Sequence, residues 1–400
     1  MLGWELPPHN SGGLGVACYQ LCKALSKKGA DIEFVLPYTA DHSGISFMRV
    51  NSAYPQDVET VLKAGMAYDS FKYIKSTGEV QWIDIFGQAS IYEEAVGRIV
   101  KLAEFDIIHA HDWLTCRAAI RAKMLTGKPL VVHFHSIEAD RAGRPMGGNP
   151  FVREIENLAL LIADKVIAVS QFTKDAIIRE YGIPAEKIEV VHNHSDPNDL
   201  IPEEGGDNIY RYLAEMRKLG YRIITNVGRL TIQKGLPNLL RSFKIVLQHN
   251  PKTFLLIVGS GEQQHELIQQ AADMGIAHNV FFAGFQRGKK CRDAYTVADL
   301  FVMPSISEPF GLTALEAIAY GTPVLISKQS GVSEMITNAL KADFWDIDEM
   351  ANKMVALVQN DALRDELHAN SHREYMSHSW RESADKLFDI YNRHTTGATK

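Results

Sequence analysis

The sequence predicts an α/β protein made of two Rossmann-like, doubly wound domains facing each other across a cleft. Three observations carry that prediction. Short apolar runs alternate with amphipathic helical runs along the whole chain, the pattern of parallel βαβ units with both sheet faces covered. The chain has 400 residues, and single hydrophobic cores stop growing at about 250–300 residues. Between Asn193 and Asn208 the composition turns to Asp, Pro, Asn, Glu and Gly, which reads as a linker. The domains expected are residues 1–200 and 209–376, followed by a last helix over 380–393.

In chain order, Met1–Trp4 is a first strand, short enough to expect residues missing before it; no signal peptide precedes Gly3. The loop to Gly15 leads into a helix with apolar spacing at Leu14, Ala17, Cys18, Leu21, Cys22 and Leu25, stopped at Gly29. Ile32–Leu36 is a strand, and residues 40–80 lack clear periodicity, as an elaborated region would. Helices are expected at Ile91–Leu102, Trp113–Leu125, Phe151–Ile162 and Thr173–Tyr181. Strands fall at Phe105–His109, Pro129–His135, Val166–Val169 and Ile188–Val191. The second series has strands at Ile223–Val227, Thr253–Val258, Val280–Phe282, Leu300–Met303 and Val324–Ile326. Its helices are Leu236–Gln248, Glu262–Met274, Cys291–Val297, a helix after Gly311, Met350–Gln359 and Ala362–Met376. Trp380–Tyr391 is a final amphipathic helix, and Thr395–Lys400 a frayed end.

Net charge is −6, which gives no global attraction to nucleic acid or anionic membrane. Contact with a membrane surface stays open only through the basic run Arg287, Lys289, Lys290 and Arg292. No apolar run approaches the roughly 18 residues a membrane-spanning helix needs. Cys18, Cys22, Cys116 and Cys291 form no zinc spacing and read as reduced residues of a cytoplasmic protein.

Candidate chemistry gathers in loops at strand ends, where ligands of doubly wound sheets bind. Gly12, Gly13 and Gly15 open the first helix; the loop is a tight turn or a phosphate or sugar contact. It is not the dinucleotide fingerprint G-x-G-x-x-G. Arg229 and Lys234, in G-R-L-x3-K-G, are a fork and a point charge placed right after a strand, suited to a diphosphate. Glu308 and Glu316 flank a helix start at Gly311, Leu312 and Thr313, whose free N–H groups make an anion site. Two carboxylates beside an anion site make sense if the ligand also carries hydroxyls. His109, His111, His133 and His135 end two strands. Backbone bonds are expected to satisfy His109 and His133, His135 is the functional candidate, and no metal site is expected. Asp346 and Asp348 match a D-x-D metal pattern, but Asp346 and Glu349 have capping-box spacing, so capping is expected there instead.

With G-G-L-G, G-R-L-x3-K-G, I-V-G-S-G and E-P-F-G-L-T-A-L-E on the page, the chain resembles the retaining glycosyltransferases of family 4, which have the GT-B fold and are cousins of bacterial glycogen and starch synthases. The resemblance covers essentially the whole chain. It implies that residues 209–376 bind a nucleotide-sugar donor, that 1–200 serve the acceptor, and that helix 380–393 crosses back to the first domain. It implies that Arg229 and Lys234 hold the donor diphosphate, Glu316 the ribose and Glu308 the sugar hydroxyls. It places Gly13 at the phosphates and His135 beside the sugar, with Gly259, Gly261, Gly284 and Phe285 toward the nucleoside. The expected activity is metal-independent transfer of a hexose from a UDP-, ADP- or GDP-sugar to a carbohydrate or small-molecule hydroxyl, with retention and without a cofactor. Polymer synthases of this kind have Lys two residues before the Gly-Gly pair, where this chain has Asn10; that departure favours transfer of single sugars. A sugar-nucleotide epimerase of the same fold is the other enzymatic reading, and a glycan- or nucleotide-binding module without activity is the third. Asp112, Glu138 and Asp140 are the carboxylates of the first domain open to a nucleophile's role.

Overall fold

The computed structural model describes residues 1–10, 12–53, 58–63, 71–143, 145–196 and 208–395. Ser11 of the glycine loop, the expected linker over 197–207 and the expected frayed end 396–400 lie outside the described residues. The chain divides into two compact units. One comprises Met1–Glu138, Gly148–Asn193 and Trp380–Lys400, the other Ala139–Gly147 and His194–Ser379.

The first unit contains β1 (Glu33–Leu36), β2 (Arg49–Ser52), β3 (Val58–Lys63), β4 (Phe71–Lys75), β5 (Val80–Ile83), β6 (Ile108–His111), β7 (Leu130–Phe134), β8 (Lys165–Ala168) and β9 (Ile188–Val190). The expected first strand shrinks to a bridge at Leu2, yet that bridge holds the sheet together. Leu2 pairs in parallel with Val35 of β1 and with Ala110 of β6. Its N–H donates to the His109 carbonyl at 2.8 Å, and the His111 N–H returns to the Leu2 carbonyl at 3.1 Å. The parallel order is therefore β2-β1-Leu2-β6-β7-β8-β9, the doubly wound order with its reversal at Leu2. Residues 40–83 elaborate the doubly wound pattern. They hold β2 in the parallel sheet and β3-β4-β5 as an antiparallel sheet of their own, whose exposed β5 carries no alternating apolar signal. The helix expected at 91–102 starts earlier, at Ile85, because the Asp84 carboxylate accepts from the Gly87 N–H and caps it. The C-terminal helix Trp380–Thr395 packs within this unit. Ser383 Oγ donates to the His192 carbonyl, the Tyr391 hydroxyl meets His109, and Arg393 pairs with Glu189 at 3.1 Å.

The second unit contains β10 (Arg222–Val227), β11 (Thr253–Val258), β12 (Val280–Phe282), β13 (Leu300–Met303), β14 (Val324–Ser327) and β15 (Leu340–Ala342), all parallel, in the order β12-β11-β10-β13-β14-β15. Strand β11 shows why these runs are apolar throughout. Leu255 and Ile257 enter the core under helices Leu236–His249 and Ile347–Gln359. Phe254, Leu256 and Val258 enter the opposite core with Leu213, Ala294 and Val297. Successive side chains of a strand point to opposite faces, and here both faces are covered. The order reverses between β10 and β13, so the loops after these two strands leave in opposite directions and open a crevice between them.

The turn after β11 fits only glycine. Gly259 has φ +142°, and a Cβ there would lie 1.8 Å from the Gly228 carbonyl oxygen. Its N–H donates to the Gly284 carbonyl at 2.9 Å. Gly259→Ala is therefore expected to destabilise this unit by more than about 2 kcal/mol. Denaturant unfolding checks it, and an unchanged midpoint would contradict the packing described.

Candidate functional site

The crevice between β10 and β13 collects the charged residues that the sequence singles out in this unit. Strand β10 runs into Gly228 and Arg229, and a short 3-10 turn, Ile232–Lys234, follows before the helix at Leu236. Strand β13 runs into Pro304, Ser305 and the loop to Glu308. The two loops are stitched together: the Ile306 N–H donates to the Gln233 carbonyl at 2.8 Å, and Gln233 Nε2 donates to the Ser307 carbonyl at 3.0 Å. On the far side, the Glu308 N–H donates to the Gln329 carbonyl and its carbonyl accepts from the Gly331 N–H, both at 2.9 Å. Fixed on both sides, the Glu308 carboxylate meets Lys234 Nζ at 2.6 Å and accepts from Ser305 Oγ at 2.8 Å. Both side chains of the ion pair are largely buried, so their attraction is little screened.

Behind this pair runs the helix Leu312–Ala319, with Gly311 at its N-cap and φ +112°. No side chain caps it and its first turn holds no acidic residue, so the positive end of the helix is available to an anion. A Cβ at Gly311 would come within 2.9 Å of Met303 Cε, so the close approach of this turn to β13 depends on glycine. Glu316, one turn further along, accepts from the Tyr295 hydroxyl at 2.7 Å. Burial raises its carboxyl to about 7, while that hydrogen bond pulls the other way. The two carboxylates thus have different partners, Glu308 a cation and Glu316 a hydroxyl.

The glycine turns form the adjoining wall. The Leu230 N–H donates to the Ser260 carbonyl at 2.9 Å, the Gln263 N–H to the Leu230 carbonyl at 2.9 Å, and a Cβ on Gly261 would strike the Leu230 carbonyl oxygen at 2.4 Å. Gly228, Arg229, Gly259, Gly261 and Gly284 are therefore neighbours through their backbones. Phe285 follows Gly284 as an exposed ring, with the Arg287 guanidinium 4.9 Å above it, a cation–π contact.

Gly13 and His135 belong to the first unit. Gly13 is the exposed first residue of helix Gly13–Ser26, whose N-cap Gly12 offers no capping side chain. His135 follows β7; its ring Nε2 lies 3.1 Å from His111 Nδ1, and burial lowers its pKa to about 3. It is a neutral hydrogen-bonding ring at physiological pH, not a cation. The expectation that backbone bonds satisfy His109 and His133 is corrected. His109 Nδ1 meets the Tyr391 hydroxyl, His109 Nε2 is unpaired, and neither ring nitrogen of His133 has a hydrogen-bond partner. Four rings on one face of two adjacent strands stack on each other. Cys18 stands with His111 and His135.

The three candidate carboxylates all have structural partners. Asp112 accepts from the His135 N–H at 2.6 Å and the Ser136 N–H at 3.3 Å, and it is held at φ 58°, a strained conformation for a residue with a side chain. Glu138 accepts from the Asn149 N–H at 2.7 Å. Asp140 is buried in the second unit and accepts from Ser307 Oγ at 2.6 Å, one residue from Glu308. Asp346 accepts from the Glu349 N–H at 2.9 Å and caps the helix that starts at Ile347, as its spacing foretold. Among the described residues, no helix is long and apolar enough to cross a membrane.

Comparison with known proteins places this arrangement. The family model described as "Glycosyl transferases group 1" matches residues 214–374, and that described as "Glycosyltransferase Family 4" matches residues 11–199. The chain is built of these two glycosyltransferase domains. An uncharacterised glycosyltransferase of Methanocaldococcus jannaschii is 28% identical over 98% of this chain and 97% of its own length. A glycogen synthase of Mycobacterium tuberculosis is 29% identical over 84% of this chain and 80% of its own. Among solved structures, sucrose-phosphate synthase from Thermosynechococcus elongatus superposes with TM-score 0.76 at 19% identity, over 99% of both chains. Anabaena HepE, solved with UDP and glucose, gives TM-score 0.71 at 20% identity over 97% of this chain and 98% of its own. The fold is that of the GT-B glycosyltransferases.

Sequence reasoning missed the roles of Tyr295, Ser305, Gln233 and Ser307 in positioning this glycosyltransferase's charges, and it placed Asp140 in the first domain, whereas Asp140 lies in the second unit against Ser307. These residue types have no signal of their own in the sequence, and the fold sets Tyr295 and Gln233 beside the carboxylate stretch. Glu316 carries a testable consequence. Its folded-state pKa, about 7, lies above the ordinary 4.5. Below pH 4.5 both folded and unfolded chains hold the proton, so the stability linked to it is fully present. As pH rises through about 7 the folded chain must ionise a buried group, and that stability is lost. The wild type is therefore expected to lose a few degrees of Tm relative to Glu316→Gln between pH 5 and pH 8. Parallel melting curves of the two proteins would refute the buried carboxyl.

Proposed function

We propose that this glycosyltransferase moves a hexose from a UDP-, ADP- or GDP-sugar to a hydroxyl of a carbohydrate or small-molecule acceptor, with retention at C1 and no metal at the diphosphate. The observation that carries the reading is the ion pair of Lys234 and Glu308, with Arg229 in the loop after β10 and an uncapped helix N-terminus after Glu308, at the point where one sheet reverses its strand order. HepE's structure with UDP and glucose supports a nucleotide-sugar donor. Arg229, Lys234 and the N–H groups of Leu312 and Thr313 receive the charge that develops on the departing diphosphate. Preorganised donors of this kind are the largest single contribution in many enzymes. Glu316 binds the ribose hydroxyls, Glu308 the hydroxyls of the transferred sugar, and Gly259, Gly261 and Phe285 border the nucleoside. In the first unit, Gly13 serves the phosphates and neutral His135 a sugar hydroxyl. The four free cysteines support a reducing, cytoplasmic setting.

Retention follows if the acceptor hydroxyl attacks C1 on the face the diphosphate leaves. The C1–phosphate oxygen bond breaks, the new C1–oxygen bond forms, and the acceptor's proton passes to a diphosphate oxygen. The structural engagement of Asp112, Glu138 and Asp140 favours this path over a covalent intermediate, which needs a carboxylate free to attack.

Arg229→Ala and Lys234→Ala are each expected to lower turnover by about 10²–10³; near-wild-type rates in either would remove that assignment. A melting-temperature screen against UDP-, ADP- and GDP-sugars is expected to show one clear stabiliser, since ligand binding to the folded state raises Tm. Incubating that donor without acceptor separates the readings. An epimerase would make a new sugar nucleotide, a transferase would not, and a binding module would be stabilised without turnover of any acceptor. With acceptor, NMR of the product should show the donor's anomeric configuration, and added Mg²⁺ or Mn²⁺ should leave the rate unchanged.

A further inference from the structure

The histidines at the ends of β6 and β7 form a cluster that the transfer reaction does not absorb. His109, His111 and His133 are 1%, 0% and 1% exposed. Each offers a ring nitrogen, and the three nitrogens lie within 4.8 Å of one another. Buried polar atoms are as a rule hydrogen-bonded, and exceptions ask for an explanation. Here His109 Nε2, His111 Nε2 and both nitrogens of His133 are buried without a partner. The opposite nitrogens of two of these rings are held: His109 Nδ1 by the Tyr391 hydroxyl, and His111 Nδ1 by His135 Nε2 at 3.1 Å. One nitrogen anchored by an outer group and the other left without a partner is how protein imidazoles are held for a metal.

We infer that His109, His111 and His133 form a binding site for one zinc-like divalent cation, with Tyr391 and His135 as the outer groups that aim two of the ligands. Imidazole nitrogens suit Zn²⁺, and three protein ligands leave a position for a further group. The neutral imidazole is the form that coordinates. The bound charge has compensation at hand, because the buried carboxylates of Glu5 and Asp112 lie within electrostatic reach of Cys18, which stands beside His111 and His135. The ion would act by fixing the ends of β6 and β7 and the helix that carries Tyr391.

The test uses the full-length chain, stripped of metal by chelation and titrated with Co²⁺ as a spectroscopic probe. One equivalent is expected to bind with the visible bands of a tetrahedral nitrogen site and to be displaced by Zn²⁺. His133→Leu, which keeps the core filled, should abolish binding. Tyr391→Phe should weaken it by about 10–100-fold, the scale for a lost outer partner. Cys18→Ala should bind Co²⁺ as the wild type does; loss of binding there would move the site to Cys18, His111 and His135 and overturn the assignment. Absence of Co²⁺ binding by the wild type would overturn it without any variant.

Discussion

The site depends on one topological constraint. Parallel strands joined by right-handed crossovers end on the same edge of their sheet, so every loop after a strand competes for the same rim. Where the strand order reverses, between β10 and β13, two neighbouring strands send their loops in opposite directions. It is there that Lys234 and Glu308 meet. The stitching of Ile306 to Gln233 and of Gln233 to Ser307 then fixes the distance between loops that are about 74 residues apart in sequence. The first unit repeats the constraint at Leu2, where the first few residues of the chain hold both halves of a sheet together.

The electrostatics of the second unit follow from where each group sits on that rim. Glu308 is buried in the crevice beside Lys234 and Ser305. Glu316 projects from the buried side of a helix onto Tyr295 and is raised toward neutrality by the loss of water. The same residue type is set to two tasks by surroundings alone: one carboxylate shares a charge, the other is a hydrogen-bonding group whose protonation changes near physiological pH.

Much of this was legible in the sequence, and the reasons are specific. Strands such as Thr253–Val258 and Leu300–Met303 are buried on both faces, so they read as unbroken apolar runs, and their ends are marked by Gly and Pro. Charged residues just beyond such ends could then be assigned to the crevice by topology. What stayed unread lacks such a signal. Strand β5 is exposed along most of its length, Leu2 makes a bridge too short to have a period, and the polar helix Arg211–Lys218 buries only Leu213. The side-chain partners were equally hidden. A hydroxyl such as that of Tyr295 or Ser305 is common in any sequence, and its role exists only once the fold sets it beside a carboxylate. The histidines show the same limit from the other direction, since their shared face was evident but the stacking that strips them of backbone partners was not.

The ion pair of Lys234 and Glu308 has a consequence for selectivity. The lysine faces a carboxylate at 2.6 Å, so its charge is partly answered within the crevice. A lone phosphate drawn to Lys234 would bring its own negative charge close to Glu308. A lone sugar bound to Glu308 would compete with the lysine and bring no countercharge for it. A donor of the proposed kind would do both at once, giving its phosphates to the cation and its hydroxyls to the carboxylate. Under that proposal the pair would work as a coincidence test, yielding to a molecule that carries both halves and resisting each half alone.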